Sequence, residues 1–263
     1  MVNKEVMKDM FDNAVHIWYK KQFWSPKMKW YIFGIQNWIH VFDLYKTIEK
    51  LEEVKTALKD YSEKGKDILF VGTKIQARNL VKELAWETGH FFVIDKWVPG
   101  LLTNFTTLKK RIATYNKIEK DLENWTLDML SKKEKSEKMK ELEKLKKAYE
   151  WLKELKKSPD VIFAVDGHYE WLSLTEARKM KIPSYALLGS TGDIDSCTNF
   201  IPCNVNSIKS IKFILDYLKP VLTKKKIISS FNKEQTNTRP FNKDFKKPFV
   251  KTETKPETTE ITK

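Results

Sequence analysis

Four short runs of this chain are apolar at every position: Ile68–Val71, Phe91–Ile94, Val161–Val165 and Tyr185–Leu188. A strand with one face in water alternates apolar with polar residues. A run without alternation has to be covered on both faces, as in a parallel sheet. Stripes of helical spacing lie around these runs. Ile48, Leu51 and Val54, with Leu58 a turn later, precede the first run, and Gly65 stops that helix. Leu80, Val81 and Leu84 lead to Gly89 before the second run. Leu174, Ala177 and Met180 follow the third. Ile208, Ile211, Ile214, Leu215 and Leu218 come after a short fifth strand near Phe200–Ile201. Strands alternating with helices require right-handed crossovers. The pattern predicts an α/β fold, a Rossmann- or flavodoxin-like five-stranded parallel sheet flanked by helices.

The interval 106–158 has a different texture. Leu108, Ile112, Tyr115 and Leu122 recur every few residues. Met139, Leu142, Leu145, Tyr149 and Leu152 do so again beyond a polar break between Ser131 and Ser136. Two narrow apolar stripes in charged flanks predict an antiparallel coiled-coil helical hairpin, projecting from the sheet instead of covering it. Pro159 ends it. Residues 1–105 then hold an amphipathic helix, a long basic aromatic loop and the first half of the α/β domain. Residues 159–220 hold its second half. Residues 221–263 carry 11 Lys+Arg against 5 Asp+Glu with almost no periodicity, which predicts a basic disordered tail.

The chain has 263 residues, enough for one sizeable core with an appendage. Its 49 Lys+Arg exceed 35 Asp+Glu by a formal +14. Such an excess favours a polyanionic partner, because cations placed on phosphates release condensed counterions. General lysine enrichment weakens that argument by about half. Cys197 and Cys203 form no metal-ligand pattern, so free thiols in a reducing compartment are expected. No apolar stretch is long enough to span a bilayer. The acidic residues of the amphipathic N-terminal segment argue against a signal or transit peptide. The chain is therefore expected to work where it is made, with no membrane.

Two segments carry the chemistry. The first, FFVIDKWVPGLLTNFTTLKKR from Phe91 to Arg111, runs from a strand through a Pro99-Gly100 turn into a helix. Thr103 or Asn104 can cap that helix. Lys96, Trp97, Thr103, Asn104, Lys109, Lys110 and Arg111 would gather at the C-terminal end of a strand. Cations suit phosphate, amides suit ribose and base edges, and an exposed indole suits stacking. The second segment interleaves Lys20, Lys21, Trp24, Lys27 and Lys29 around Pro26, with His16 and His40 flanking it. For both, the alternative is ordinary folded chain with a solvated basic surface and buried aromatics. The loop Val71-Gly72-Thr73-Lys74 invites a phosphate-binding reading but lacks both Gly-rich phosphate fingerprints, so nucleotide binding there is not expected. Asp166-Gly167-His168 and the Asp193/Asp195 pair have no nucleophile or third ligand beside them and read as turns.

Four blocks in register resemble the bacterial-type family of small-subunit ribosomal protein two, the universal uS-two family. They are His16–Thr47, Ile68–Ala77, the Phe91–Arg111 segment, and the run from Pro159 through Glu176-Ala177-Arg178, Ile182-Pro183 and Ile201-Pro202. Together they extend from about Met7 to Leu218. The resemblance implies a Rossmann-like sheet without cofactor and a structural role between the head and body of the small subunit. It implies 16S-type rRNA and other small-subunit proteins as partners, including the large mRNA-binding ribosomal protein one, with no homo-oligomer and no catalysis. It fits a cytoplasmic ribosome and an organellar one alike. The competing class is an α/β enzyme acting on a phosphorylated metabolite at the strand C-termini. A standalone coiled-coil adaptor would leave the sheet without purpose.

Several positions where that family carries glycine are filled otherwise here. Trp18, Trp38 and Trp151 replace one each, as do Pro99, Glu150 and Cys203. The chain has 8 Gly and 9 Trp. An indole cannot stand in for glycine where φ is positive or backbones touch, so such swaps should cost folding energy. Either the tryptophans are UGA codons that the cell reads as glycine, or they are genuine drift.

Overall fold

The computed structural model describes residues 4–20, 22–124, 131–149, 152, 155 and 157–222. Five parallel strands, β4 (Ile68–Val71), β5 (Phe91–Val93), β6 (Val161–Ala164), β7 (Ser184–Leu188) and β8 (Asn199–Pro202), form a sheet in the order β5-β4-β6-β7-β8. Chain order reverses between β4 and β6, the switch point of a doubly wound sheet. The expected strands are therefore all present.

Alternation along the strands divides two cores. Ile68, Phe70, Phe92, Val161, Phe163 and Leu187 face α2 (Leu44–Glu63), α3 (Arg78–Thr88) and α7 (Ile208–Leu222). Leu69, Val71, Val93 and Ile162 face the opposite way. Each helix starts and stops for local reasons. Asp43 caps α2 by accepting from the Tyr45 amide at 3.0 Å. Gly89 ends α3 at φ +71°, a left-handed stop. Pro220 removes one bond inside α7 without ending it. Buried Leu218 and Leu222 hold that last turn, and the Leu222 carbonyl lies 2.9 Å from His90 Nε2.

The second face departs from expectation in two places. First, the helix α4 (Phe105–Glu123) does not only project. Its first turns lay Leu108 and Ile112 over β4 and β5, in one cluster with Trp97, Leu101, Leu102, Leu152 and Leu155. Further along, Tyr115 and Ile118 pack with Leu142, Leu145 and Tyr149 of α5 (Lys132–Tyr149). A single stripe thus serves the sheet first and a partner helix afterwards. The polar break predicted between Ser131 and Ser136 is instead the start of α5. Ser131 and Glu134 form a reciprocal capping box: the Glu134 amide donates to Ser131 Oγ at 3.4 Å, and the Ser131 amide and Oγ donate back to the Glu134 carboxylate at 3.1 and 2.8 Å. Residues 125–130, which join these helices, lie outside the described residues, as do Lys21, Glu150, Trp151 and the tail from 223 onward.

Second, the predicted basic aromatic loop is a small antiparallel sheet. After α1 (Lys4–Asp12), strands β1 (Ile17–Lys20), β2 (Ile32–Gln36) and β3 (Ile39–Phe42) pair in the order β1-β3-β2. A 3-10 turn at Pro26–Tyr31 links β1 to β2. Met28 and Phe42 anchor this unit on Ala164, Ala186, Leu188 and Phe200, beside Leu174 of α6 (Trp171–Lys179).

Candidate nucleic-acid interface

At the C-terminal end of β5 the chain turns over the rim of the sheet, and its geometry is set from inside. The Glu176 carboxylate on α6 is buried at 5 % exposure. Its Oε1 accepts from Trp97 Nε1 at 3.1 Å and from the Gly100 amide at 2.8 Å. Its Oε2 accepts from the Leu102 amide at 3.0 Å and, at longer range, from the Thr103 amide at 3.4 Å and hydroxyl at 3.5 Å. Burial alone would raise its pKa. The bonds from Trp97 and from the Gly100, Leu102 and Thr103 amides outweigh burial and hold it below the ordinary value. Gly100, at φ +87°, supplies the left-handed corner that lets successive amides converge on one carboxylate.

Two expectations about this loop are corrected. Trp97 is not an exposed stacking surface: its ring is 6 % exposed and its polar edge is spent on Glu176. The side chains of Thr103 and Asn104 do not cap α4. Asn104 occupies the cap position without a side-chain bond, and the amides ahead of the helix are met by Glu176 instead. The sequence places Glu176 in a matching block but does not show this role. A carboxylate beside the apolar stripe of Leu174 and Ala177 looks like a solvated helix position, and its partners are more than seventy residues away.

What the loop turns outward is basic. Lys96, Thr103 and Asn104 are exposed, and so are Lys109, Lys110 and Arg111. Leu108 and Ile112 point into the core, so the three cations between them fan across the outer side of α4.

The other predicted cluster sits at the same rim of the sheet, near the end of β7. The Ser25 amide donates to the Ser190 carbonyl at 2.6 Å, and Ser190 Oγ donates to the Phe23 carbonyl at 3.0 Å. Lys20 and Lys29 are exposed. Trp24 is 39 % exposed and tilts against buried His40 at 5.8 Å. Lys27 is engaged within the chain: its ammonium lies 2.8 Å from Asp193 and also meets Asp195. Hydrogen bonds to Asp193, then Asp195, raise its pKa. The aspartate pair is thus a lysine clamp. His16 stacks on Phe11 at 4.4 Å, and burial lowers its pKa. Nearby, the Lys46 ammonium lies 4.1 Å from the centre of the Trp30 ring.

The ends of β5 and β7 are three strand spacings apart, about 14 Å. The crevice between them, where a doubly wound enzyme would hold its ligand, is filled by the chain itself. The Thr73 amide and hydroxyl donate to Glu170 at 2.7 and 2.6 Å. Burial raises the Glu170 pKa despite those bonds. Lys74 donates to Asp166 at 2.8 Å, to the Val205 carbonyl at 3.1 Å and to Asn206. Asp166 also accepts from the His168 and Tyr169 amides at 3.1 and 3.2 Å, the turn that its sequence suggested. A lysine and a threonine that could have cradled phosphate are therefore committed to buried carboxylates. Cys197 and Cys203 are free, with burial pushing the Cys197 thiol up to about 12 and Cys203 well above its ordinary value. Among the described residues no three His, Cys, Asp or Glu side chains are placed to hold a metal ion, and no helix is long and apolar enough to cross a membrane.

A basic rim braced from inside, a closed switch point and a five-stranded doubly wound sheet agree with one comparison. The family model described as Ribosomal protein S2 matches residues 10–224, which spans both clusters, the sheet and the α4–α5 pair. The chain belongs to the ribosomal protein S2 family, and is a structural protein of the small ribosomal subunit rather than an enzyme.

Proposed function

We propose that this protein binds 16S-type rRNA through the basic rim at the C-terminal end of its sheet, with Lys96, Lys109, Lys110 and Arg111 on one side and Lys20 and Lys29 on the other. The observation that carries the reading is the loop 97–103. Its inner side is fixed by one buried carboxylate, while its outer side and the first turns of α4 present exposed cations. Cations on a fixed backbone suit a folded RNA, because little loop entropy remains to be lost on binding. Phosphate contacts of this kind position a protein without reading sequence, which fits a brace for an rRNA junction.

Under this reading the protein acts as a single copy in a cytoplasmic ribosome and turns over no substrate. It also helps to seat the large mRNA-binding neighbour. Exposed Trp30 and Phe33, at 72 % and 81 %, give the small antiparallel sheet an apolar surface of the kind that such a neighbour could cover.

Binding of the purified protein to small-subunit rRNA fragments over a salt titration tests the reading. Lys109→Glu with Arg111→Glu should weaken binding and flatten the slope of log K against log salt by about 1 to 2. Lys27→Met should change the slope little, since that lysine is already paired with Asp193 and Asp195. An unchanged slope in the double variant would remove the assignment of α4.

A further inference from the structure

Strands β2 and β3 meet at a two-residue corner: Gln36 pairs with Ile39, leaving Asn37 and Trp38 between them. Both corner residues have positive φ, +48° and +64°. Two successive left-handed residues between paired antiparallel strands make a type I′ turn, whose twist matches that of the strands it joins. Asparagine tolerates the first position because its short amide can bond locally. The second position is the one that glycine takes in the commonest turn of this type, Asn-Gly. A tryptophan there brings Cβ against backbone oxygen. Its ring is 77 % exposed, so burial of the indole offsets little of that strain.

The remaining non-glycine residues of positive φ among the described residues, Ala14 and Lys181, are different in kind. Each stands alone just beyond a helix, α1 or α6, where a single left-handed residue is a common stop. Composition points the same way as the corner. The chain has 8 Gly beside 9 Trp, whereas average usage would give about 18 Gly in a chain of this length. Trp18 lacks the mark: its φ is not positive, and its ring lies against Gly189, 2.1 Å from where a Cβ there would stand.

We propose that codon 38 is UGA and that the cell of origin reads it as glycine, so that the native hairpin turns on an Asn-Gly pair beginning at Asn37. UGA differs from the glycine codon GGA in its first base alone. By base complementarity, a glycine tRNA needs one changed anticodon base, UCC to UCA, to decode it. The implied partner is a glycine-charged tRNA with that anticodon. The alternative is a UGG codon and a true tryptophan.

The test is independent of any rRNA contact. The gene is sequenced at codon 38, and the tryptic peptide from Trp30 to Lys46 is weighed from native small subunits. UGA together with glycine at this position, leaving Trp30 as the one indole in that peptide, supports the proposal. UGG, or tryptophan in the peptide at this position whatever the codon, overturns it. A recombinant pair carries a second arm. Trp38→Gly should raise the melting midpoint over the chain with Trp38, and an equal or lower midpoint would remove the structural ground.

Discussion

Replacing Glu176 with alanine removes the shared acceptor of a set of donors, two of which water cannot reach. Trp97 Nε1 and the Leu102 amide belong to buried residues, while Gly100 and Thr103 lie partly open to water. A buried donor left without a partner costs about 1–3 kcal/mol. Two such donors, with a smaller contribution from the two that water can reach, give a loss of about 3–5 kcal/mol. That is a large part of the ~5–15 kcal/mol by which a domain of this size is stable. Glu176→Gln keeps one carbonyl oxygen but aims an amide at two backbone N–H groups, so it should cost somewhat less. Chemical denaturation gives the stability change, and amide exchange at Gly100 and Leu102 locates it. The carboxylate also sets a pH dependence. Its folded pKa lies below the ordinary 4.5 of the unfolded chain. Its contribution is therefore complete above that value and is lost as pH falls through the lower folded pKa. A loss under about 1 kcal/mol for Glu176→Ala, with unchanged exchange at both amides, would refute the view that this carboxylate shapes the rim.

Other consequences can be measured on the same protein. Lys74→Met should cost about 3 kcal/mol in denaturant titrations, because it leaves Asp166 as an uncompensated buried charge. The same variant should open no nucleotide binding by calorimetry, since Glu170 still occupies Thr73. Ser131→Ala should destabilise by about 1 kcal/mol through loss of the capping box, visible as faster amide exchange in the first turn of α5. Leu108→Ala should cost about 2–4 kcal/mol because Leu108 is buried over the sheet, whereas Met139→Ala, at a site 42 % exposed, should stay within about 0.5 kcal/mol.

The main sheet is legible in the sequence because its strands are buried on both faces, so Ile68–Val71 and Val161–Ala164 need no alternation to declare themselves. The small antiparallel sheet is not. Its strands are four or five residues long, mostly half exposed, and broken in register between Ile17 and Lys20 and between Ile32 and Gly34. Bulges of that kind shift side chains across faces and erase the period-two signal. The double service of α4 is hidden for another reason. Leu108 and Ile112 cover the sheet while Tyr115 and Ile118 meet α5, yet all four share one helical spacing. Local pattern does not say what a stripe will touch.

The basic residues of the candidate site can be named from the sequence, but not sorted. Lys109 and Lys27 look alike in sequence. In the fold both are exposed, but Lys27 is clamped by Asp193 and Asp195. Trp97 reads as a stacking platform and is instead a donor inside the core. Both outcomes depend on partners far along the chain.

Ultraviolet crosslinking of intact small subunits, followed by mass spectrometry of the crosslinked peptides, tests the central claim most directly. Peptides carrying rRNA adducts should come from Lys96–Arg111 and from Lys20–Lys29, the two sides of the rim. Adducts confined to α2, α3 and α7, on the other side of the sheet, would contradict the account.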